Sequence, residues 1–286
     1  MPKLKIVITG ASGFIGGHLI EHLSGIANTE IVPLTRRGIP NLVQVSNYAD
    51  APDGDVLIHL AEDNNLENVA NRGLSYEQEA LGTLRALMAK KYKRIIYTSS
   101  STLYGDKSAI PHGVGDEIFA KNPYTQIKSL SESAVLDNQS GMVVRLANVY
   151  GPFMSTNNVI SHIVKQIPLQ GDLEVGDVTP VRDFIWVRDV AEGISMLALM
   201  ELEEIGKSKM YNLGSGIGTS IGGLALLTLE LAGQPERRVV SKNQTRVASR
   251  IVLDYSETTN ACGWTPRTSL QQGIASLLAS SLEVEI

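Results

Sequence analysis

A doubly wound α/β fold around a parallel sheet is what this 286-residue sequence predicts, and three observations carry the prediction. Short apolar, β-branched runs alternate with amphipathic stretches through the first half. A loop with regularly spaced glycines joins the first apolar run to the first amphipathic stretch. After Gly151-Pro152 the alternation loosens, which predicts a smaller α/β lobe built mainly from residues 151–286, with room for some of its strands or helices to return to the first domain over residues 1–150.

The elements follow in order. Residues 5–9 are apolar and β-branched, the pattern of a strand buried on both faces. Residues 14–26 predict a helix, with Ile15, Leu19, Leu23 and Ile26 at helical spacing. Residues 30–34, 56–60, 94–99 and 142–146 predict further strands, and residues 76–90 and 124–138 helices. The link over residues 35–55 is too polar and too rich in Pro and Gly for a full helix. In the second half, residues 158–166, 190–203, 221–232 and 270–282 predict helices, and residues 181–187 and 210–213 strands. The smaller lobe is expected to close a cleft against the carboxyl edge of the sheet, where such folds bind ligands.

Bulk properties narrow the function. Hydrophobic residues make up 43% and charged residues 19%, values ordinary for a soluble globular protein. The formal net charge of -5 gives no reason to expect nucleic acid or an anionic membrane as partner. With one cysteine, Cys262, no intramolecular disulfide can form. The N-terminus has no signal-peptide pattern, and no apolar run is long enough to span a bilayer, so the expected location is cytoplasmic.

Gly10, Gly13 and Gly16 lie between the first strand and the first helix. Glycine allows a tight turn and lets a pyrophosphate approach the main chain, while the helix N-terminus offers free N–H donors. No Lys-Ser/Thr follows, so this is not a nucleoside-triphosphate loop. The motif predicts a Rossmann-type dinucleotide site. An acid after the second strand would accept from the ribose of NAD, but here Leu34 is followed by Thr35-Arg36-Arg37. Arg36 and Arg37 suit a 2′-phosphate, so NADP(H) is favoured and NAD(H) is the alternative.

Tyr124 and Lys128 stand four residues apart and share one helix face. Free tyrosine titrates near ~10, and a neighbouring ammonium favours the phenolate, bringing proton transfer nearer neutral pH. Ser100, ending the fourth strand, can bond the same substrate oxygen, and Thr102 offers a second polar contact. Each signal alone is common; the order glycine loop, serine run, Tyr-x-x-x-Lys points to hydride-transfer chemistry.

On these motifs the chain resembles the extended short-chain dehydrogenase/reductase superfamily, specifically its NAD(P)-dependent nucleotide-sugar epimerase/dehydratase family. The segment from Thr9 through Gly10, Ser12, Gly13, Phe14 and Ile15 to Gly16 resembles that family's nucleotide loop. Ile58-His59-Leu60-Ala61 resembles the strand end that passes the cofactor, which implies contacts from Leu60 and Ala61. Tyr97 to Gly105 resembles the serine segment, and counting back from Tyr104-Gly105 implies that the catalytic hydroxyl is Ser100. The resemblance implies substrate contact at Asn148 and a diphosphate met by Arg182 and Arg246. Three positions depart from it: Glu79 in place of an asparagine, Glu62 in place of a small residue, and Ser249 in place of an acid.

The resemblance implies an oxidoreductase acting at C4 of a nucleoside-diphosphate sugar, foremost a 4-ketoreductase, with a 4-epimerase as the alternative. A 4,6-dehydratase is disfavoured, since Ser101 and Thr102 stand where its Asp-Glu acids belong. A dinucleotide-sensing protein without catalysis is the rival from another class, and the retained Tyr124–Lys128 pair argues against it. A homodimer is expected. No metal is: His18-Leu19-Ile20-Glu21-His22 matches a zinc signature but sits on the dinucleotide helix without an evident third ligand.

Overall fold

The computed structural model describes residues 2–106, 108–200, 208–243 and 249–282. Its elements begin with β1 (Leu4–Thr9), α1 (Phe14–Ser24), β2 (Thr29–Thr35), β3 (Val43–Gln44), β4 (Val56–His59), α2 (Leu66–Met88), β5 (Arg94–Ser100), α3 (Pro123–Asp137), β6 (Gly141–Leu146) and β7 (Asn148–Tyr150). They continue with α4 (Val159–Val164), β8 (Leu173–Val175), β9 (Val181–Trp186), α5 (Val187–Leu199), β10 (Met210–Leu213), β11 (Gly218–Ser220), α6 (Ile221–Leu231), β12 (Val239–Ser241), β13 (Arg250–Ile251), α7 (Ser256–Cys262) and α8 (Leu270–Leu282).

Seven strands form a parallel sheet in the order β10-β6-β5-β4-β1-β2-β3. The chain winds outward from β1 to β3, then returns to β4 and winds the other way. The reversal opens a crevice beyond the carboxyl ends of β1 and β4, the place where such sheets bind ligands.

Both faces of the sheet are covered, which is why its strands are apolar without alternation. Ile6, Ile8, Ile58, Ile96 and Val144 pack with Leu19 and Leu23 of α1 and with Val190, Ile194 and Leu197 of α5. Val7, Leu57 and Ile95 point to the other side, with Leu34 and Leu87. Each such side chain contributes roughly 1.5–3 kcal/mol on burial.

A second core gathers Tyr150, Ile160, Ile163, Phe184, Trp186, Leu224, Leu229 and Ile274. It surrounds β9, which pairs in parallel with β7 and β13 and antiparallel with β11. The chain beyond residue 150 does not stay there, since β10 returns to pair with β6 in the large sheet. The connection between β5 and α3 also reaches across. Arg250 N donates to Asp106 O at 2.8 Å, His112 N to Val252 O at 2.8 Å, and Asp254 N to His112 O at 2.9 Å.

Two regions differ from expectation or fill it in. Helix α2 begins at Leu66, well before residue 76, capped by Asn65 Oδ1 accepting from Asn68 N at 3.0 Å. Gly73 breaks it with φ 49 and ψ -127, so the apolar periodicity changes phase there and only the second half was legible. The 35–55 link holds β3 and one 3-10 turn at Tyr48–Asp50, and no α-helix.

Candidate active site

The glycine loop is built by close approach. Gly10 has φ +72, and a Cβ on it would lie 2.9 Å from the carbonyl carbon of Leu60. A Cβ on Gly16 would lie 2.5 Å from Gly10 O, so that glycine lets α1 sit directly against the turn. Gly13 precedes α1 as a cap position without a side chain, leaving first-turn N–H groups for an anion.

A cavity of about 480 Å³ extends from this loop and is lined by Gly10, Ser12, Gly13, Arg36, Arg37, Leu60 and Ala61. Arg37 Nη2 donates to Ser12 O and to Ser12 Oγ, both at 3.1 Å. Arg36 lies over the Tyr48 ring, 5.5 Å from its centroid, and Arg36 Nη1 donates to Glu79 Oε1 at 3.3 Å. Glu79 also pairs with Arg72, which lies over Tyr76. Glu79 and Arg72 both come from α2, on either side of its kink. In the sequence Glu79 shows only as a departure from the family pattern, and Arg72 gives no signal, because its position depends on the half of the helix before Gly73.

A second cavity, about 450 Å³, is lined by Phe14, Ile15, Ser100, Tyr124, Lys128 and Asn148. Leu60 and Glu62 line both cavities, which makes them one groove. Local sequence explains the placement of Tyr124. Asn122 and Thr125 form a reciprocal cap at 2.9 and 3.1 Å, with Pro123 at the first helical position, so Tyr124 falls in the first turn of α3. Lys128 follows one turn deeper, its Nζ 5.9 Å from the Tyr124 ring centroid. Ser100 Oγ bonds Thr102 Oγ1 at 2.9 Å and accepts from Thr102 N at 3.3 Å. Thr102 is exposed and does not line the cavity, so it reaches the site through Ser100.

Lys128 is not alone. Its Nζ lies 2.9 Å from Glu62 Oε2, with the two side chains 8% and 6% exposed, and donates to Thr98 O at 2.9 Å. Tyr97 donates from its hydroxyl to Glu62 Oε2 at 2.7 Å. Burial opposes charge on Glu62, but the Lys128 ammonium and the Tyr97 hydroxyl outweigh it and hold the carboxyl below its ordinary range. Burial likewise pulls Lys128 down, and Glu62 more than restores it, so the ammonium is held above its usual value. Burial keeps nearby His59 neutral, pushing it down to about 4, and its Nδ1 bonds Thr9 Oγ1 at 2.7 Å.

Beyond Tyr124 the groove continues. Asn148, Asn158 and Phe184 line both the second cavity and a third that holds Arg182. Asn148 Nδ2 donates to Asp183 O at 3.2 Å. Arg182 Nη2 donates to Ser249 Oγ at 2.7 Å, so the serine found in place of an acid leaves that guanidinium without a carboxylate there. Arg246 lies outside the described residues. Asp183 points away from the groove and accepts from Ser215 N, Ser215 Oγ, Gly216 N and Leu253 N at 2.6–3.1 Å. The first histidine of the zinc-like pattern, His18, is engaged elsewhere, its Nε2 donating to Pro152 O at 3.0 Å.

Comparison with known proteins places the chain. The model of the NAD dependent epimerase/dehydratase family matches residues 6–214. UDP-glucuronic acid decarboxylase 2 of Arabidopsis thaliana is 27% identical over 301 residues, taking in 95% of this chain and 66% of that protein's length. GDP-6-deoxy-D-mannose reductase of Pseudomonas aeruginosa is 28% identical, with 96% of each chain covered. The solved structure of RMD from Pseudomonas aeruginosa complexed with NADPH matches with a TM-score of 0.83 at 26% identity, covering 99% of this chain and 100% of that one. The Rossmann-type sheet, the glycine loop at its switch point and the match over residues 6–214 show that this chain belongs to the NAD-dependent epimerase/dehydratase family of enzymes.

Proposed function

We propose that this chain is a reductase that turns a 4-keto nucleoside-diphosphate sugar into its alcohol with NADPH. One observation carries the proposal: Ser100, Tyr124 and Lys128 line the middle of a groove that runs to the glycine loop and Arg36 at one end and to Arg182 at the other. That order of glycine loop, proton-transfer residues and second cationic end suits a dinucleotide lying end to end with a second nucleotide diphosphate.

The residues divide the work. Gly10, Ser12, Gly13 and the α1 N-terminus hold the cofactor's pyrophosphate, while Phe14, Ile15, Leu60 and Ala61 line its path. Arg36 and Arg37 take the 2′-phosphate, joined by Arg72. When bound, a nicotinamide cofactor would supply the hydride for C4. Tyr124 would give its proton to the carbonyl oxygen, and Ser100 would orient that oxygen. Lys128 holds the ribose and the charge around Tyr124. Asn148 contacts the sugar, and Arg182 and Arg246 meet the diphosphate. The decarboxylase and reductase among the relatives are named for nucleotide sugars, which supports that substrate class. Exposed Leu66 and Leu74 on α2 and Leu130 on α3 support a homodimer through those helices.

Two measurements test the reading. Tyr124→Phe is expected to lose at least about a hundredfold in turnover on 4-keto nucleotide sugars while still binding NADPH. Near-normal turnover would remove Tyr124 from the mechanism. The purified protein, once denatured, should release little nucleotide. Stoichiometric NAD released, with activity needing no added NADPH, would replace this proposal with the 4-epimerase.

A further inference from the structure

The least expected group in the groove is Glu62, a buried carboxylate placed directly on Lys128. It follows β4 at the junction of the two cavities that Leu60 also lines. Its contacts come from two elements. Lys128 on α3 lies 2.9 Å from Oε2, Tyr97 on β5 donates to the same oxygen at 2.7 Å, and Ser131 Oγ on α3 donates to Oε1 at 3.4 Å.

An ammonium has three N–H donors. Glu62 and the Thr98 carbonyl take two of those on Lys128, leaving one for a ligand. The other titratable and charged neighbours do not replace Glu62. His59 on β4 is buried and neutral. Tyr97 is a hydrogen-bond donor, pushed well up by burial and by Glu62. Tyr76 on α2 accepts from Asp63 N at 2.6 Å, and burial pushes it up, with Glu62 and then Asp63 adding to this. Glu132, also on α3, is bound through both oxygens to Arg145 at 2.6 and 2.9 Å.

We propose that Glu62 is a positioning residue: it fixes the Lys128 ammonium and offsets its charge, so that Tyr124 acts as a proton donor to a ketone rather than as a base. This deepens, and rests on, the assignment of Tyr124 and Lys128 above. A lone ammonium 5.9 Å from the Tyr124 ring would favour the phenolate. An ammonium in contact with a carboxylate presents a dipole, whose field falls off faster with distance. The arrangement therefore keeps Tyr124 protonated, the form that supplies a proton to a ketone. A carboxylate that served only to accommodate a buried lysine would leave the behaviour of Tyr124 unchanged when its charge is removed.

The test needs no substrate. Tyrosinate absorbance is followed against pH in the full chain, and each spectrum is corrected by the same protein carrying Tyr124→Phe, which isolates the Tyr124 signal. Glu62→Gln is expected to move that signal to lower pH by about one unit. Tyr97→Phe, which frees Glu62 from one hydrogen bond without altering its charge, should leave it within about 0.3 units. Glu62→Asp keeps the charge but draws it back, so it should give a smaller shift in the same direction; this decides the matter if the Gln variant does not fold. An unmoved signal, or one moved to higher pH, in a Glu62 variant that keeps its thermal unfolding transition overturns the proposal. The outcomes also separate the two claims. Turnover retained by Tyr124→Phe removes the site as read, whereas turnover lost in Tyr124→Phe, with the Tyr124 signal unshifted in Glu62→Gln, removes only the role of Glu62.

Discussion

Replacing Glu79 with glutamine should make the protein bind NADPH more tightly. In the structure Glu79 bonds Arg36 and pairs with Arg72, so it neutralises part of the charge that a 2′-phosphate would meet. Arg36, Arg37 and Arg72 share that cavity with Glu62, Asp63 and Glu79, so its charged lining sums to zero, and Glu79→Gln raises it to +1. The side chains of Arg36 and Glu79 are 56% and 42% exposed, so water screens the interaction heavily. At an effective dielectric of about 60 and a separation of about 7 Å, a phosphate carrying about -1.5 to -2 gains about 1.2–1.6 kcal/mol. That is roughly tenfold in Kd. NADH, which lacks the phosphate, should change by less than about twofold. The assay is titration by nicotinamide fluorescence with both cofactors at low and at high salt, and the gain for NADPH should shrink as salt rises. Equal changes for the two cofactors, or weaker NADPH binding, would refute the reasoning and place the 2′-position elsewhere.

Three further outcomes are expected. Gly16→Ala drives a methyl to 2.5 Å from Gly10 O and 2.9 Å from Ala11 Cα, both backbone, so NADPH affinity should fall at least about tenfold and stability by about 1–3 kcal/mol in urea unfolding. Asp183→Ala leaves four donors unmatched, and a loss of about 3–5 kcal/mol is expected; a urea midpoint within experimental error of wild type would contradict the role given to that carboxylate. The third concerns pH. Glu62 is held below its ordinary value of 4.5, so its contribution to stability is complete above that pH and is lost as pH falls through the depressed folded value. Wild type should therefore lose stability more steeply than Glu62→Gln in acid, measured as urea midpoints at pH steps below about 5. Parallel curves would show that the carboxyl ionises alike folded and unfolded.

Much of the fold was legible because both faces of the sheet are covered. Runs such as residues 5–9 carry no polar alternation, and the three glycines announce the turn that follows. The Tyr124 helix was legible from Asn122-Pro123 and the four-residue spacing. What escaped the sequence was long-range pairing. Glu62 could be recognised as out of place, but nothing in a linear chain says that it faces Lys128, 66 positions on. Arg72 was hidden because Gly73 interrupts the periodicity that would have revealed its helix. Arg36 and Arg37 read alike, as neighbours after a strand, yet one is tied to Glu79 and the other to Ser12. Ser249 read as a loss of charge, and it serves as acceptor for Arg182.

The connection between Ser100 and Tyr124 is fastened to β13 and the chain just after it, through Asp106 and His112 bonding Arg250, Val252 and Asp254. The side chain of Asn212, from the large sheet, also donates to the carbonyl oxygens of His112 and Asp254 at 2.9 and 3.0 Å. A free loop of that length would sample many shapes, and a ligand would have to select one of them, losing affinity in doing so. Here the ordering is completed during folding. The hydroxyls of Ser100 and Tyr124 are thus presented as a preset pair, and binding energy from a distant diphosphate can be directed to the reacting carbon rather than to assembling the groups that act on it.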